Sequence, residues 1–120
     1  MENQRGTNLI SATKNWTKRN TANANSGLAL QDIVPDNGHA PLTITKCALV
    51  ERNDFETGEL KEVGILMDED NQYYSTISPY AIEQLAIMAE IIDEEGKVSI
   101  EVCKRKSKGE RHFLSITILD

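Results

Sequence analysis

The 120-residue sequence has few of the residues that define disulfide-bonded, metal-binding or membrane-spanning proteins. Its two cysteines, Cys47 and Cys103, form no CxxC or Cys/His cluster, so we expect two reduced, buried thiols and neither a disulfide framework nor a zinc site. No apolar run approaches the roughly 20 residues needed to span a bilayer. The first residues, MENQRGTNLI, lack the pattern of an export signal, which predicts a cytoplasmic protein with no membrane contact.

Sequence motifs of catalysis are missing as well. The chain contains no GxxxxGK[ST] phosphate loop, no GxSxG nucleophile elbow and no HExxH metal helix. The acidic run Asp68, Glu69 and Asp70 cannot converge on one cation from a regular strand and is expected to be a solvated turn. We therefore expect a protein that is not an enzyme and that holds neither a cofactor nor a metal.

Charge is distributed unevenly along the chain. The net charge of -6 by itself opposes binding to nucleic acid, whose phosphates attract Lys and Arg. Residues 1–30 nevertheless hold four basic side chains against one acidic, and five of the other nine basic residues lie between positions 104 and 111. Positive charge is thus concentrated in two segments, which matters more for binding than the sum.

The N-terminal 27 residues differ in composition from the rest of the chain. They are rich in Asn, Thr and Ser and show no sustained period of 2 or 3.6, which predicts a flexible polar and basic arm. One domain is expected over residues 28–120. Residues 28–34 are compatible with a short additional strand before a turn.

The central part of the chain contains three segments typical of strands. Alternation predicts the first at about residues 42–52, with Ile44, Ala48 and Val50 on one face. β-Branched and aliphatic residues predict the second at about residues 60–67, and a short third strand is expected at about residues 72–77, after a polar turn. Two more strands are expected at about residues 98–103 and 113–118.

A helix is predicted between the third and fourth of these strands. Ser78 and Pro79 are typical of a helix start, because the serine hydroxyl can accept from an unpaired N–H and proline suits the first helical position. Gly96 lies just beyond the expected end. The predicted apolar stripe consists of Ile82, Leu85, Ala86, Ala89 and Ile92.

Three strands, one helix and two strands in about 80 residues predict a mainly β (α+β) protein with an OB-fold. This fold is a five-stranded barrel with one helix between strands three and four. Other small α+β folds share this order of elements, because the order does not fix which strands pair.

Ligands of an OB barrel bind on the face of its second and third strands, between the loop joining strands one and two and the loop joining strands four and five. Basic side chains suited to phosphates lie at the second of these loops: Lys104, Arg105, Lys106, Lys108 and Arg111. Aromatic candidates for stacking on unpaired bases are Phe55, Tyr73, Tyr74 and Phe113. Successive strand side chains point to opposite faces, so at most one of the two tyrosines can face a ligand.

Two further groups of residues are candidates for contacts. The first group lies in the arm and consists of Lys14, Trp16, Lys18 and Arg19. These residues are expected either to make a second contact with nucleic acid or to dock on a neighbouring subunit. Alternatively, Trp16 covers an apolar patch of the protein itself. On the helix, Ile87 and Ile91 lie roughly opposite the main stripe. A homodimer contact or the arm folding back would cover them.

The run ISPYAIEQL at the helix start and the hairpin CKRKSKGERHFLSITIL, with the length and the order of elements, resemble a known family. It comprises the small OB-fold single-stranded DNA-binding proteins of phages of lactic acid bacteria. The resemblance covers about two thirds of the chain. It implies sequence-independent binding of single-stranded DNA in phage replication and recombination, stimulation of strand exchange and assembly as homodimers. The familiar bacterial single-strand binders end in a long acidic tail, which does not follow the last predicted strand here.

An alternative from another class follows from the acidic balance of residues 31–120, which hold nine basic and eighteen acidic groups. Such a surface suits a phage interaction module that binds a basic protein, for example a recombinase or a host defence protein. Nothing in the sequence separates binding of single-stranded DNA from binding of RNA.

Overall fold

The computed structural model describes residues 7–24, 27–35, 37–53, 57–106 and 112–119. This part of the chain is mainly β: seven strands form one curled sheet, a half-barrel, and one long helix packs against it. The strands are β1 (Thr7–Ala12), β2 (Leu28–Ala29), β3 (His39–Asn53), β4 (Leu60–Asp68), β5 (Tyr73–Thr76), β6 (Val98–Lys106) and β7 (His112–Ile118). The helices are α1 (Lys18–Asn23), α2 (Pro79–Glu95) and a short 3₁₀ helix (Leu30–Ile33).

The long strand β3 connects the two halves of the sheet. The strand order is β2-β5-β4-β3-β6-β7, and β1 also pairs with β3. All pairs are antiparallel except β2 with β5. The N-terminal half of β3 pairs with β6 and its C-terminal half with β4, with a register shift between Ile44 and Lys46. A bulge of this kind bends a strand, and this one lies where β3 passes from one half of the sheet to the other.

The bulge also overturns the predicted faces of β3. Ile44 lies in the main core, whereas Ala48 and Val50 lie in a second apolar cluster. The prediction that these three residues share a face is wrong, because one extra residue reverses the inward and outward positions that follow.

Helix α2 confirms the predicted helix between the third and fourth core strands. It starts at Pro79, and Gly96 ends it in the left-handed conformation with φ 90°. Its fully buried positions are Ala81, Leu85, Met88 and Ile92. Ala86, which was predicted to lie in the buried stripe, is exposed, because the stripe runs through Met88 instead.

Ser78 has a different role from the predicted one. Its hydroxyl makes no capping bond to the helix and donates to the carbonyl oxygen of Leu114 at 2.9 Å. The start of α2 is thereby joined to β7.

The segment from β2 through the 3₁₀ helix lies between β5 and the β6–β7 pair. Ala29 pairs with Ser75 of β5, while the backbone N–H of Lys104 in β6 donates to the carbonyl of Gly38 at 3.0 Å. Leu30 is fully buried in the main core. The additional short strand expected in residues 28–34 is therefore present, with two residues.

The predicted flexible arm is ordered over residues 7–24. Strand β1 pairs with β3, and Thr17 caps α1 through a reciprocal pair of hydrogen bonds with Asn20. The prediction of a flexible arm is wrong for these residues. A six-residue helix is too short to show a helical period, and the polar residues of the segment hide its strand.

The two cysteines are free, but only Cys47 is buried, whereas Cys103 is partly exposed. Burial, with a smaller contribution from Asp93, raises the pKa of the Cys47 thiol from 9.0 to about 12. Burial and the hydrogen bond to Asp68 raise the pKa of Tyr74 from 10.0 to about 12. Both groups lose a proton more readily in the unfolded chain. Their ionisation therefore has little effect on the free energy of unfolding below pH 9 and lowers it increasingly as the pH rises towards 12.

We expect the folded protein to lose about 2 kcal/mol of stability through Cys47 by pH 10.5. Urea unfolding at a series of pH values measures this loss. Cys47→Ala should flatten the decline between pH 9 and 10.5, since alanine has no proton to lose. Equal declines in the two proteins would contradict the raised pKa.

Candidate nucleic-acid interface

The predicted ligand face is the outer face of β4 and β5, and the same face of the sheet continues onto β3. Val50 lies opposite Val63 and Ile65 opposite Ser75 in the register of these strands. The buried residues of this face form the second cluster, and Ala12, Trp16 and Ala24 of the N-terminal segment pack within or against it. Part of the predicted ligand face is therefore covered by the chain itself.

Tyr73 lies on this outer face and is bound by the N-terminal segment. Its ring makes an edge-to-face contact with Trp16, with ring centres 6.4 Å apart and planes at 82°. Nδ2 of Asn20 donates to the Tyr73 hydroxyl at 2.8 Å, and Nζ of Lys46 donates to Oδ1 of the same asparagine at 3.0 Å. Nε1 of Trp16 donates to Oγ1 of Thr21 at 2.9 Å. Of the alternatives considered for Trp16, the structure contains the covered apolar patch.

Tyr74 points to the opposite side of β5. It is buried in the main core, and its hydroxyl donates to Oδ2 of Asp68 at 2.9 Å. The rule that only one of the two tyrosines can face outwards is confirmed. The inclusion of Tyr74 among the DNA-binding residues is wrong, because a buried ring cannot stack on a base.

Beyond the N-terminal segment, the outer face continues into an open groove of about 620 Å³. This volume lies within the range of ligand-binding pockets. The residues that determine its chemistry are Arg52, Val63, Ser75, Tyr80, Lys104 and Leu114. Basic groups thus lie beside apolar walls and beside the ring of Tyr80, which is 56% exposed.

Lys104 was predicted to bind phosphate, and it lines this groove. Its Nζ donates to the carbonyl oxygens of Gln31 at 3.0 Å and Val34 at 3.3 Å. The ammonium group therefore holds the 3₁₀ segment against β6 and places positive charge in the groove wall.

Several predicted contacts cannot be placed. Phe55, Lys108 and Arg111 lie outside the described residues. Arg105, Lys106 and Phe113 belong to β6 and β7, with Arg105 opposite Phe113 in the register, but their side chains are not among those described. All six stay predictions.

Two groove residues were not anticipated from the sequence. Arg52 follows Ala48 and Val50 at a spacing of two, so a charged residue on an apolar face was a signal that could have identified it. Tyr80 directly follows the helix start at the end of β5, which places it at the rim of the predicted ligand face.

The other predicted contact residues are distributed over two surfaces. The side chains of Lys14, Lys18 and Arg19 are exposed on the N-terminal segment. Ile87 is 49% exposed on α2, whereas Ile91 packs against the main core. Ile91 is therefore not on the opposite side from the stripe: at about 100° per residue it lies only about 60° from Met88 around the helix.

The described residues contain no group of three or more His, Cys, Asp or Glu that could hold a metal ion. None of the described helices is long and apolar enough to span a membrane. No family model, curated protein or solved structure matches the chain. The chemistry of the groove is therefore what supports a function.

Proposed function

We propose that this protein binds single-stranded nucleic acid without reading its base sequence and without catalysis. The observation that carries the proposal is the groove, in which Arg52 and Lys104 lie beside the exposed ring of Tyr80. Basic groups bind phosphates whatever the sequence, and an aromatic ring can stack on any unpaired base. The exposed side chain of Ile77 adds apolar surface for the same bases.

The connection of the strands supports a barrel of the OB type. The order β5-β4-β3-β6-β7, with α2 between β5 and β6, is compatible with this fold, and the hydrogen bond from Ser78 to Leu114 joins the start of α2 to β7. Ligands of such barrels bind on the second and third core strands, which here are β4 and β5. The groove includes Val63 and Ser75 of that face, and it also includes Lys104, the first of the five basic residues at positions 104–111 of the sequence.

More specifically, we propose a single-stranded DNA-binding protein that acts in phage replication and recombination in the cytoplasm of a bacterial host. The resemblance of the ISPYAIEQL run and of the cationic hairpin supports this assignment. The same resemblance supports a homodimer, to which Ile87 would offer an exposed apolar contact.

The acidic surface of α2 is compatible with this proposal. The helix contains no basic residue, and Glu83, Glu90, Glu94 and Glu95 are exposed on it. Such a surface repels phosphates, so nucleic acid would be confined to the groove and the basic hairpin.

The test is the affinity for a labelled oligothymidine and for duplex DNA of equal length, measured by fluorescence anisotropy at low salt. We expect tighter binding to the single strand. Tyr80→Ala should weaken it about tenfold, since stacking contributes about 1–3 kcal/mol per base. Tyr80→Phe should bind like the wild type because the ring is kept.

Leu119→Ala is the matched control, because it removes an exposed apolar side chain outside the groove. No binding of oligothymidine at low salt would remove the proposed function. Equal affinities of Tyr80→Ala and Leu119→Ala would show that a strand binds elsewhere on the protein.

The acidic face of α2 also favours the second candidate, a module that binds a basic protein such as a recombinase or a host defence protein. Under that function, a purified basic partner would be retained by the immobilised protein, and free oligothymidine would not displace it. Reversal of the charge of Glu90 and Glu94 to lysine would abolish retention.

A further inference from the structure

The guanidinium group of Arg52 lies in an unfavourable position for the folded protein. Its Nε and Nη2 atoms are buried, and within the part of the chain that the structure describes neither has a hydrogen-bond partner. Burial lowers the pKa of this group, but arginine still carries its charge at neutral pH. A buried donor without an acceptor costs free energy and requires an explanation.

The neighbouring strands do not supply the missing acceptor. In the register of the sheet, Arg52 lies opposite Lys61 on β4 and Thr7 on β1. Like charges placed directly opposite each other on neighbouring strands are destabilising. An apolar residue, such as the Val50 that precedes it on the same face, would suit the fold better. Packing alone therefore does not account for an arginine at this position.

The two unpartnered atoms suit one kind of ligand. Nε and Nη2 lie on the same edge of the planar guanidinium group, and an edge with two parallel N–H groups binds two oxygens of a phosphate or carboxylate at once. Arg52 also lines the groove with Tyr80 and Leu114. The exposed ring of Tyr80 suits a nucleoside attached to the phosphate better than an acidic peptide.

We infer that Arg52 is the phosphate anchor of the groove: its partly exposed side chain turns towards a bound nucleic-acid strand, so that Nε and Nη2, which are covered without ligand, bind one phosphate. The inference rests on the proposed function in that the phosphate belongs to a polynucleotide. A contact of two oxygens with a partly buried guanidinium group is screened by salt less than contacts of exposed cations. The loss caused by removing Arg52 should therefore persist at high salt.

The experiment compares the full-length wild type with Arg52→Gln and Arg52→Lys. Lys97→Gln is the matched control, because Lys97 is exposed at the turn between α2 and β6 and its replacement removes the same charge. Thermal unfolding is followed without ligand and with inorganic phosphate, thymidine monophosphate or oligoglutamate. Affinity for oligothymidine is measured at low and high salt.

We expect thymidine monophosphate to raise the Tm of the wild type and of Lys97→Gln, but not that of Arg52→Gln. Affinity for oligothymidine should fall about tenfold in Arg52→Gln at both salt concentrations, because a charged hydrogen-bonded contact is lost. Arg52→Lys should be intermediate, since an ammonium group cannot offer two parallel donors. Without ligand, the Tm of Arg52→Gln should equal or exceed that of the wild type, because the two unpartnered donors of the guanidinium group are removed.

Three results would refute the role of Arg52 as a phosphate anchor. They are no shift of the wild-type Tm with thymidine monophosphate, an equal Tm shift with this ligand in Arg52→Gln, and a larger shift of the wild-type Tm with oligoglutamate than with thymidine monophosphate. If Arg52→Gln does not fold, the Tm shifts of the wild type and Arg52→Lys with thymidine monophosphate still test the inference, because the shift should be smaller in Arg52→Lys. The wild type could be stabilised by thymidine monophosphate and still not bind oligothymidine. That result would support the phosphate site at Arg52 but would refute the proposed binding of single-stranded nucleic acid.

Discussion

Replacing Asp68 with alanine is expected to lower the free energy of unfolding by about 3 kcal/mol. This buried carboxylate ends β4 and organises the turn to β5. Its Oδ1 accepts from the backbone N–H groups of Asp70 at 2.9 Å and Gln72 at 3.0 Å, and its Oδ2 accepts from the Tyr74 hydroxyl at 2.9 Å. Alanine would leave three donors without this acceptor, one of them the hydroxyl of the buried Tyr74.

Graded variants separate these bonds. Asp68→Asn keeps one oxygen for the turn and should lose about 1 kcal/mol, as should Tyr74→Phe, which removes one bond. Glu69→Ala is the matched control, because Glu69 is an exposed acidic neighbour in the same turn. Urea unfolding followed by circular dichroism gives the free energies. A loss in Asp68→Ala no larger than in Glu69→Ala would refute the role of the network.

The core strands and α2 could be predicted because their physical signals are local. Alternation shows in the long strands β6 and β7, and Pro79 and Gly96 mark the helix ends through backbone preferences of their own. The bulge between Ile44 and Lys46 left no such signal, since an extra residue in one strand is visible only against its partner. The order predicted from the first core strand to the last was therefore right, whereas β1 and α1 were not predicted and the faces of β3 were wrong.

The candidate site was only partly accessible from the sequence for a similar reason. Lys104 lies at the predicted ligand face because its position on the hairpin follows from the order of the strands. The covering of Tyr73 by Trp16 joins residues far apart in the chain, and neither residue type nor spacing encodes that contact. The absence of a hydrogen-bond partner for Nε and Nη2 of Arg52 likewise depends on the pairing of β3 with β1 and β4, which only the fold brings together.

Replacing Trp16 with alanine is expected to lower the free energy of unfolding by about 2–3 kcal/mol, less than for a fully buried tryptophan because this side chain is half-buried. The change removes the packing of the indole on the second cluster and its edge-to-face contact with Tyr73. It also removes the hydrogen bond to Thr21 that ties the ring to α1. Arg19→Ala, at an exposed position of the same helix, should change stability by less than about 0.5 kcal/mol.

Trp16 is the only tryptophan, so its fluorescence in the wild type reports on the N-terminal segment alone, while circular dichroism reports on the whole sheet and α2. If the segment folds with the sheet as one unit, both signals must change at the same urea concentration. A fluorescence transition at lower urea would show that residues 7–24 detach first, as a flexible arm would. Because the groove is lined by other residues, folded Trp16→Ala should bind oligothymidine like the wild type. A rise in affinity would instead mean that the bound strand competes with Trp16 for the face around Tyr73, which would extend the binding path across β5.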